Sequence, residues 1–362
     1  MDLRLGWGEV YDLPKLFTLM VEQQASDVHL PVGTEPLVRI RGDLVKTGLP
    51  SLTQKKAETI LYPLISQEQK EHLSLTGDLD FSHEEPGVAR FRGNYFKQRK
   101  GLGAVFRMIP SVIPTLDELD LPPVLRKIAQ FKRGLVIVTG ATGSGKSTTL
   151  AAIIREINNT RRAHVITIED PLEFVHENRM CRVSHREVGT HAVSFADAIR
   201  AAIREDPDII LVGEMRDLDT ISQAIRAAEM GLLVLGTLHT NSAAKAIDRM
   251  IDVFPAAQQD QIRSMLSESI KAVIAQQLLK RGDGKGRCAA VEVLLGTPGL
   301  ANMIREGKTP QIINLMQTGR ELGMQTMDHA LIDLIKKGRI AKEIVKERVR
   351  DLRLFQRAGI HL

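Results

Sequence analysis

Cysteine is scarce in this 362-residue chain: there are two, Cys181 and Cys288, far apart and in no C-x-x-C pair. That excludes a disulfide framework and a four-cysteine zinc module, and predicts reduced thiols in a cytosolic protein. Aromatic residues make up only 4% of the chain, too few for a protein that works by stacking bases. No segment approaches the roughly 18 uninterrupted apolar residues of a membrane span. The opening stretch MDLRLGWGEVYDLPKL has no apolar run followed by a small-residue cleavage site. The expectation is a chain neither exported nor membrane-spanning. Internal repeats and low-complexity tracts are also absent. What remains is an ordinary globular composition, 43% hydrophobic and 26% charged, long enough for two domains of unequal size. The net charge of +5 permits an anionic partner, whether nucleotide, nucleic acid or acidic membrane surface, and decides among none of them.

The stretch that organises the chain is GATGSGKS, Gly140 to Ser147, entered by the apolar run Leu135 to Val138 and left through TTLAAIIREI. It fits the phosphate-loop pattern G-x-x-x-x-G-K-[ST] in the strand-loop-helix context that the pattern requires. Gly140, Gly143 and Gly145 let the backbone turn tightly and aim its N–H groups inward, and the helix beginning near Lys146 adds its positive end. The candidate nucleotide-binding set is Gly140, Ala141, Thr142, Gly143, Ser144, Gly145, Lys146, Ser147 and Thr148. Lys146 is placed to reach the β and γ phosphates, and the Ser147 hydroxyl to join the oxygen shell of a Mg²⁺ ion. No N-K-x-D stretch occurs, so a guanine-specific reading has no support.

From Gly134 onward short apolar runs alternate with helical patterns, the signature of a parallel sheet covered on both faces. The runs are Leu135 to Val138, Val165 to Ile168, Ile209 to Val212 and Leu232 to Leu238, with an amphipathic helix at Ser194 to Arg204 capped by Ser194. Ligands of such sheets collect beyond the carboxyl ends of the strands. Three strand ends carry polar groups there: Glu169 and Asp170 with Glu173 beyond a proline, Gly213 and Glu214, and Thr237, His239 and Thr240. Hydrolysis of a γ-phosphate needs a carboxylate for water, an acidic shell for the metal and a polar sensor. Glu214 is the candidate for the water, Glu169 a supporting carboxylate or alternative base, and His239 the sensor. Glu214 or Asp170 would help hold Mg²⁺, with water in between.

Residues 1–110 read as a small α+β module. Leu13 to Gln24, Gln54 to Leu64 and Gln67 to Leu73 have helical patterns. Between and after them the stretches SDVHLPVGTEPLVRIRGDLVKTG and DLDFSHEEPGVARFRGNYFKQRKGLGAVFRMIP alternate as strands. They present Arg90, Arg92, Arg99 and Arg107, either a solvated face or, for Arg92, Arg99 and Arg107, guanidinium forks that reach a phosphate site, in a ring the neighbouring subunit's. His29 reads as a hydrogen-bonded strand residue, not a ligand. The proline-marked stretch Ile109 to Pro123 begins the linker, placed at 111–133. In the last third, Gln258 to Leu279 reads as one long helix and CAAVEVLL as a strand. Val345, Val349, Leu352 and Phe355 mark one face of a terminal helix whose other face carries Lys346, Arg348, Arg350 and Arg353. Met303 to Met327 reads as adaptable packing.

The segments ASDVHL, GVARFRGNYFKQR, GATGSGKSTTLAA, ITIEDPLEFVH, REDPDIILVGEMRDLDT and GTLHTNSAAKAIDRMIDVFP together resemble the type IV pilus retraction, or twitching-motility, ATPase family. That family lies within the secretion and pilus ATPase superfamily, and the likeness runs from about Leu13 to the last helices. It implies a PAS-like α+β N-terminal domain (1–110) and a RecA-like P-loop ATPase domain (134–362) in a homohexamer that hydrolyses ATP with Mg²⁺. Gly140 to Ser147 would be the Walker A box, Glu169 to Glu173 the acidic box, Glu214 the Walker B glutamate and His239 the histidine of the His box. The implied partner is an inner-membrane platform protein at the pilus base, pilin being moved indirectly. Two departures stand out: Leu232 where the family usually has histidine, and GLANMIRE, Gly299 to Glu306, where AIRNLIRE is usual. They keep open an accessory ring subunit that binds ATP but depends on a paralogous retraction ATPase. A secretion or assembly ATPase is a further alternative, disfavoured by the missing tetracysteine insert. A nucleic-acid motor lacks any accompanying motif.

Overall fold

The computed structural model describes residues 11–40, 42–109, 112–284 and 286–361. The opening stretch read for an export signal falls largely outside these, as do Pro110 and Ser111 of the expected linker. The chain divides into two compact units, Met1–Val112 and Ile113–Leu362.

In the first unit, helix α1 (Leu13–Glu22) starts at Asp12, whose side chain accepts from the Lys15 N–H, and buries Leu13, Leu16, Phe17 and Met20. Val21, expected on that face, is turned to solvent. Strands β1 (Ala25–Pro31), β2 (Leu37–Ile40) and β3 (Asp43–Lys46) form a meander, followed by α2 (Gln54–Leu61) and α3 (Gln67–Thr76). Strands β4 (Asp78–Glu85), β5 (Ala89–Gln98) and β6 (Gly101–Ile109) complete a six-stranded sheet of order β3-β2-β1-β6-β5-β4. Phe91 and Tyr95 alternate inward along β5 and meet Phe17, Phe81 and Phe106 in an aromatic core.

The second unit opens with α4 (Val124–Ala129), which packs with Leu116 and Leu121 into the unit's own core. Strand β7 (Gly134–Thr139) leads to α5 (Lys146–Thr160), and β8 (His164–Glu169) and β9 (Arg182–Glu187) follow. Then come α6 (Phe195–Ala202), β10 (Ile209–Val212), α7 (Leu218–Glu229), β11 (Leu233–Leu238), α8 (Ala243–Asp252) and α9 (Ala256–Ser269). The hairpin β12 (Ile270–Lys280) and β13 (Arg287–Leu295) closes a seven-stranded sheet, β13-β12-β7-β11-β10-β8-β9, parallel except at β13. Helices α10 (Pro298–Arg305), α11 (Ile312–Thr318), α12 (Met327–Lys336) and the short α13 (Leu352–Arg357) complete the chain. The fold class is the one expected, an α+β unit followed by an α/β phosphate-loop unit.

Every residue of β7 is buried, and alternation divides the strand between two cores. Leu135 and Ile137 face the core under α6 to α9, whereas Val136 and Val138 face α4 and α5. A separate small cluster joins Leu279, Cys288 and Ala290 of the hairpin to α12, Val345, Phe355 and Ile360.

Two expectations need correction, and one strand lies where none is expected. Gln258 to Leu279 is not one helix: α9 ends at Ser269, and Ile270, Val273, Ile274 and Leu278 lie in β12. An apolar segment buried on both faces satisfies a helical period by coincidence, and its pairing to β7 and β13 decides the matter. The terminal helix is instead a 3₁₀ turn at Lys342–Val345 and the six-residue α13. Val345 and Phe355 are buried, Leu352 is exposed, and Arg350, although exposed, reaches back to Glu292 and the Asn241 carbonyl. Strand β9 carries no apolar alternation, so nothing in the sequence marks it as a strand.

Candidate active site

The loop between β7 and α5 turns on three glycines with positive φ: Gly140 (155°), Gly143 (77°) and Gly145 (90°). A side chain at Gly140 would meet the Gln276 carbonyl at 2.4 Å, so close backbone approach as well as φ demands glycine there. Helix α5 begins at Lys146 directly after Gly145, so its unpaired N–H groups open onto the loop. The Lys146 ammonium donates to the carbonyls of Gly140 (3.0 Å) and Ala141 (3.2 Å). Burial pushes its pKa down, opposed by the charges of Glu214 and Glu173.

Beside this loop lies a cavity at the carboxyl ends of the strands, lined by Ser147, Glu169, Asp170, Glu173, Glu214 and Thr237 among others. Glu214 follows β10, and its Oε1 lies 2.7 Å from Nε2 of His239 beyond β11 and against the Arg216 guanidinium. The strand ends are sewn together. The Gly213 N–H donates to the Ile168 carbonyl, the Met215 N–H to the Thr237 carbonyl, and the Thr237 hydroxyl to the Gly213 carbonyl. Glu169 is buried, accepts the Glu173 N–H at 3.1 Å, and bonds to Thr167. Burial pushes its pKa up to about 7, with repulsion from Glu173 and Glu187 adding to the shift against those two hydrogen bonds. Behind it, Thr167 meets His185 Nδ1 at 2.9 Å, and His185 reaches the His176 backbone. His176 is buried and its pKa falls to about 3, by desolvation first and the neighbouring His185 second.

Ser147, Glu169, Asp170 and Glu214 thus line one cavity, and His239 touches it through Glu214. The expected arginines lie in the first unit. Arg92 and Arg107 are cross-strand partners on β5 and β6, with Arg107 donating to the buried Asp27 at 2.8 Å and Arg92 near Asp80 at 3.5 Å; Arg99 is exposed at the turn between those strands. Arg90 donates to the Ser82 hydroxyl. His29 sits on β1 beside Asp27, with its pKa lowered by burial.

Sequence reasoning missed Gln276. On β12, its amide donates to the Ser144 carbonyl at 2.7 Å and its carbonyl accepts from the Thr149 hydroxyl at 2.7 Å, tying the loop and α5 to the next strand. A polar pair, Gln276 and Gln277, inside an apolar run was the available signal, hidden by the helical reading. Thr139 was also passed over: its hydroxyl and that of Thr240 lie 2.9 Å apart, and it accepts the Thr240 N–H.

The carboxylates and hydroxyls that line the cavity suit a hard cation. Among the described residues no cluster of three or more His, Cys, Asp or Glu could hold a metal. Mg²⁺ needs no such cluster, because one or two protein oxygens suffice when phosphates and waters complete its shell.

Comparison with known proteins adds three relatives and a family. The family described as type II/IV secretion system protein matches residues 116–354. The type IV pilus retractation ATPase PilT of Pseudomonas aeruginosa is 50% identical over 339 residues, 94% of this chain and 98% of the relative. A twitching motility protein of Neisseria gonorrhoeae is 49% identical over 316 residues, 87% of this chain and 84% of the relative. The crystal structure of the pilus retraction motor PilT with bound ADP superposes with a TM-score of 0.89 at 43% identity, covering 96% of this chain and all of that one.

Proposed function

The chain belongs to the type II/IV secretion system protein family, and from that premise we propose that it is an ATP-hydrolysing motor of type IV pilus retraction. Its second unit is a RecA-like ATPase domain. The observation that carries the hydrolytic reading is the pairing of Glu214 with His239 in a cavity that Ser147 of the phosphate loop also lines.

In this reading the loop N–H groups and the α5 terminus hold the β and γ phosphates, and Lys146 exchanges its two carbonyl partners for phosphate oxygens. Ser147, with Glu214 or Asp170 through water, would hold Mg²⁺, which would supply positive charge against the phosphates. Glu214 orients and deprotonates the attacking water. His239, bonded to Glu214, couples that carboxylate to the end of β11 and so to the γ-phosphate. Glu169 holds the turn that carries Asp170 and Glu173 and acts as a supporting carboxyl, since a group that titrates near 7 is still partly protonated at neutral pH.

The working form is a homohexamer whose closure brings Arg92, Arg99 or Arg107 of one subunit toward the phosphates of the next. Hydrolysis would be converted into domain rotation against a platform protein at the inner membrane. Among the described residues no helix is long and apolar enough to cross a membrane. Leu232 is half-buried against the core under α7, and the Gly299–Glu306 stretch forms α10 with Leu300 and Ile304 buried.

The test is steady-state ATPase activity of the chain and of Glu214→Ala, with mass by light scattering. Turnover by a hexamer, lost in a variant that still binds ATP, supports the motor. ATP binding without turnover in the unaltered chain would leave the accessory-subunit reading as the better one.

A further inference from the structure

The segment Thr240–Ala243, which immediately follows His239 and leads into the first residue of α8, is held from two sides. Toward β7, the Thr240 N–H donates to the Thr139 hydroxyl at 2.8 Å, and that hydroxyl lies 2.8 Å from the Thr240 carbonyl. On the other side the partners come from the far end of the chain. Arg350 Nη2 donates to the Asn241 carbonyl at 2.9 Å, while its Nη1 lies 3.3 Å from Oε2 of Glu292 on β13. Glu292 is fully buried, and its Oε1 accepts the Ala243 N–H at 2.7 Å. Its Oε2 also accepts the Met327 N–H at 3.2 Å.

One buried carboxylate therefore sits between the N-termini of α8 and α12, where the helix ends favour an anion, and the guanidinium supplies its counter-charge. A buried carboxylate is costly unless it is fully bonded in this way. The register of Arg350 is fixed as well, because Asp328 in the first turn of α12 accepts the N–H groups of Arg350 (3.0 Å) and Asp351 (2.9 Å). The surrounding C-terminal segment, 342–360, is seated through Val345, Phe355 and Ile360 in the satellite cluster, not in either core flanking the sheet. Arg350 contacts a carbonyl two residues after the histidine that pairs with Glu214, and its side chain is 36% exposed, so its removal opens no core cavity.

We propose that Arg350 is a positioning residue for the hydrolytic site, carrying the docking of the C-terminal segment to the loop that presents His239 to Glu214. The proposal rests on the reading of Glu214 and His239 given above. With the loop free to move by about 1 Å, the 2.7 Å contact between His239 and Glu214 passes out of hydrogen-bonding range. A displacement of that size costs turnover far more than it costs nucleotide binding.

Arg350→Met keeps the aliphatic stem and removes both contacts; Arg350→Lys retains the charge but cannot reach Glu292 and Asn241 together. For Arg350→Met the expected result is a kcat lower by about 10- to 100-fold, with KM for ATP and the affinity for a fluorescent ADP analogue within about twofold of the unaltered protein. Arg350→Lys falls between the two and stands in if the Met variant is recovered as aggregate. Hydrogen exchange read by mass spectrometry should speed up at residues 240–243 and stay unchanged in β7. Unchanged kcat, a loss of nucleotide affinity in step with kcat, or unaltered exchange at 240–243 would overturn the proposal. Should the unaltered chain itself fail to hydrolyse ATP, the hydrolytic reading falls, and the exchange measurement still decides whether Arg350 holds the loop.

Discussion

The ends of β8 and β10 are adjacent in one parallel sheet; β8 ends in Glu169, Glu214 stands two residues beyond β10, and the two glutamates live in different surroundings. Glu169 is 8% exposed, hemmed by Glu173 and Glu187 and bonded to one backbone N–H and one hydroxyl. Glu214 opens further to the cavity and has an imidazole and a guanidinium against it. Two carboxyls of one type are thereby parted into different tasks by environment alone. The one that opens to the cavity is placed to meet water, and the buried one to brace a turn and hold a proton near neutrality.

The sharpest way to break this contrast is to remove each charge in turn. Glu214→Gln should lower kcat by roughly 10²–10⁴-fold while ATP still binds, and Glu169→Gln by no more than about tenfold. Single-turnover measurements that gave the larger loss to Glu169→Gln would exchange the two roles. Next in size is a pH effect on stability. Glu169 titrates at an ordinary 4.5 when unfolded and at about 7 when folded, so the folded protein holds that proton more tightly. The stability it contributes is complete below pH 4.5 and is lost as pH rises through about 7. Relative to the unaltered protein, Glu169→Gln should gain on the order of 3 kcal/mol between pH 5 and pH 8. Calorimetric unfolding at the two pH values checks it, and a difference independent of pH would remove the buried-acid account.

Gln276→Leu tests the loop that both carboxylates serve. It leaves the Ser144 carbonyl and Thr149 hydroxyl without their partner, at a cost of about 1–3 kcal/mol in stability. KM for ATP should rise with it more than kcat falls, which steady-state kinetics and urea unfolding can separate. The smallest effect is expected of Arg216→Gln. Arg216 is largely exposed, and a pair of this kind is worth up to about 1 kcal/mol and weakens with salt. A salt-independent loss beyond tenfold in kcat would instead make Arg216 part of the hydrolytic group.

Much of this was legible beforehand where the physics is local. The phosphate loop needs glycine at fixed offsets, and Gly140, Gly143 and Gly145 have the positive φ that those offsets imply. Buried parallel strands are continuous apolar runs, so β7, β8, β10 and β11 could be placed with their polar ends. The same property misled at β12, because a run buried on both faces has no period of its own and Ile270 to Leu278 extended the pattern of α9. It also hid Gln276, which has meaning only once the segment is a strand. Strand β9, with Arg182, Ser184 and Arg186 along it, has no apolar signal because it is a sheet edge.

The sequence by itself determined that a polyphosphate-binding loop opens a parallel sheet, and that acidic and histidine side chains stand at the ends of its strands. Backbone conformation and strand burial are written in neighbouring residues. Only the tertiary structure decided which of those groups touch: Glu214 with His239, Gln276 with Thr149, and Arg350 with Asn241 and Glu292. These partners stand far apart in the chain, 127 positions for Gln276 and Thr149. A hydrogen bond is decided within a few tenths of an ångström, which only the packing of the whole sheet and its helices can set.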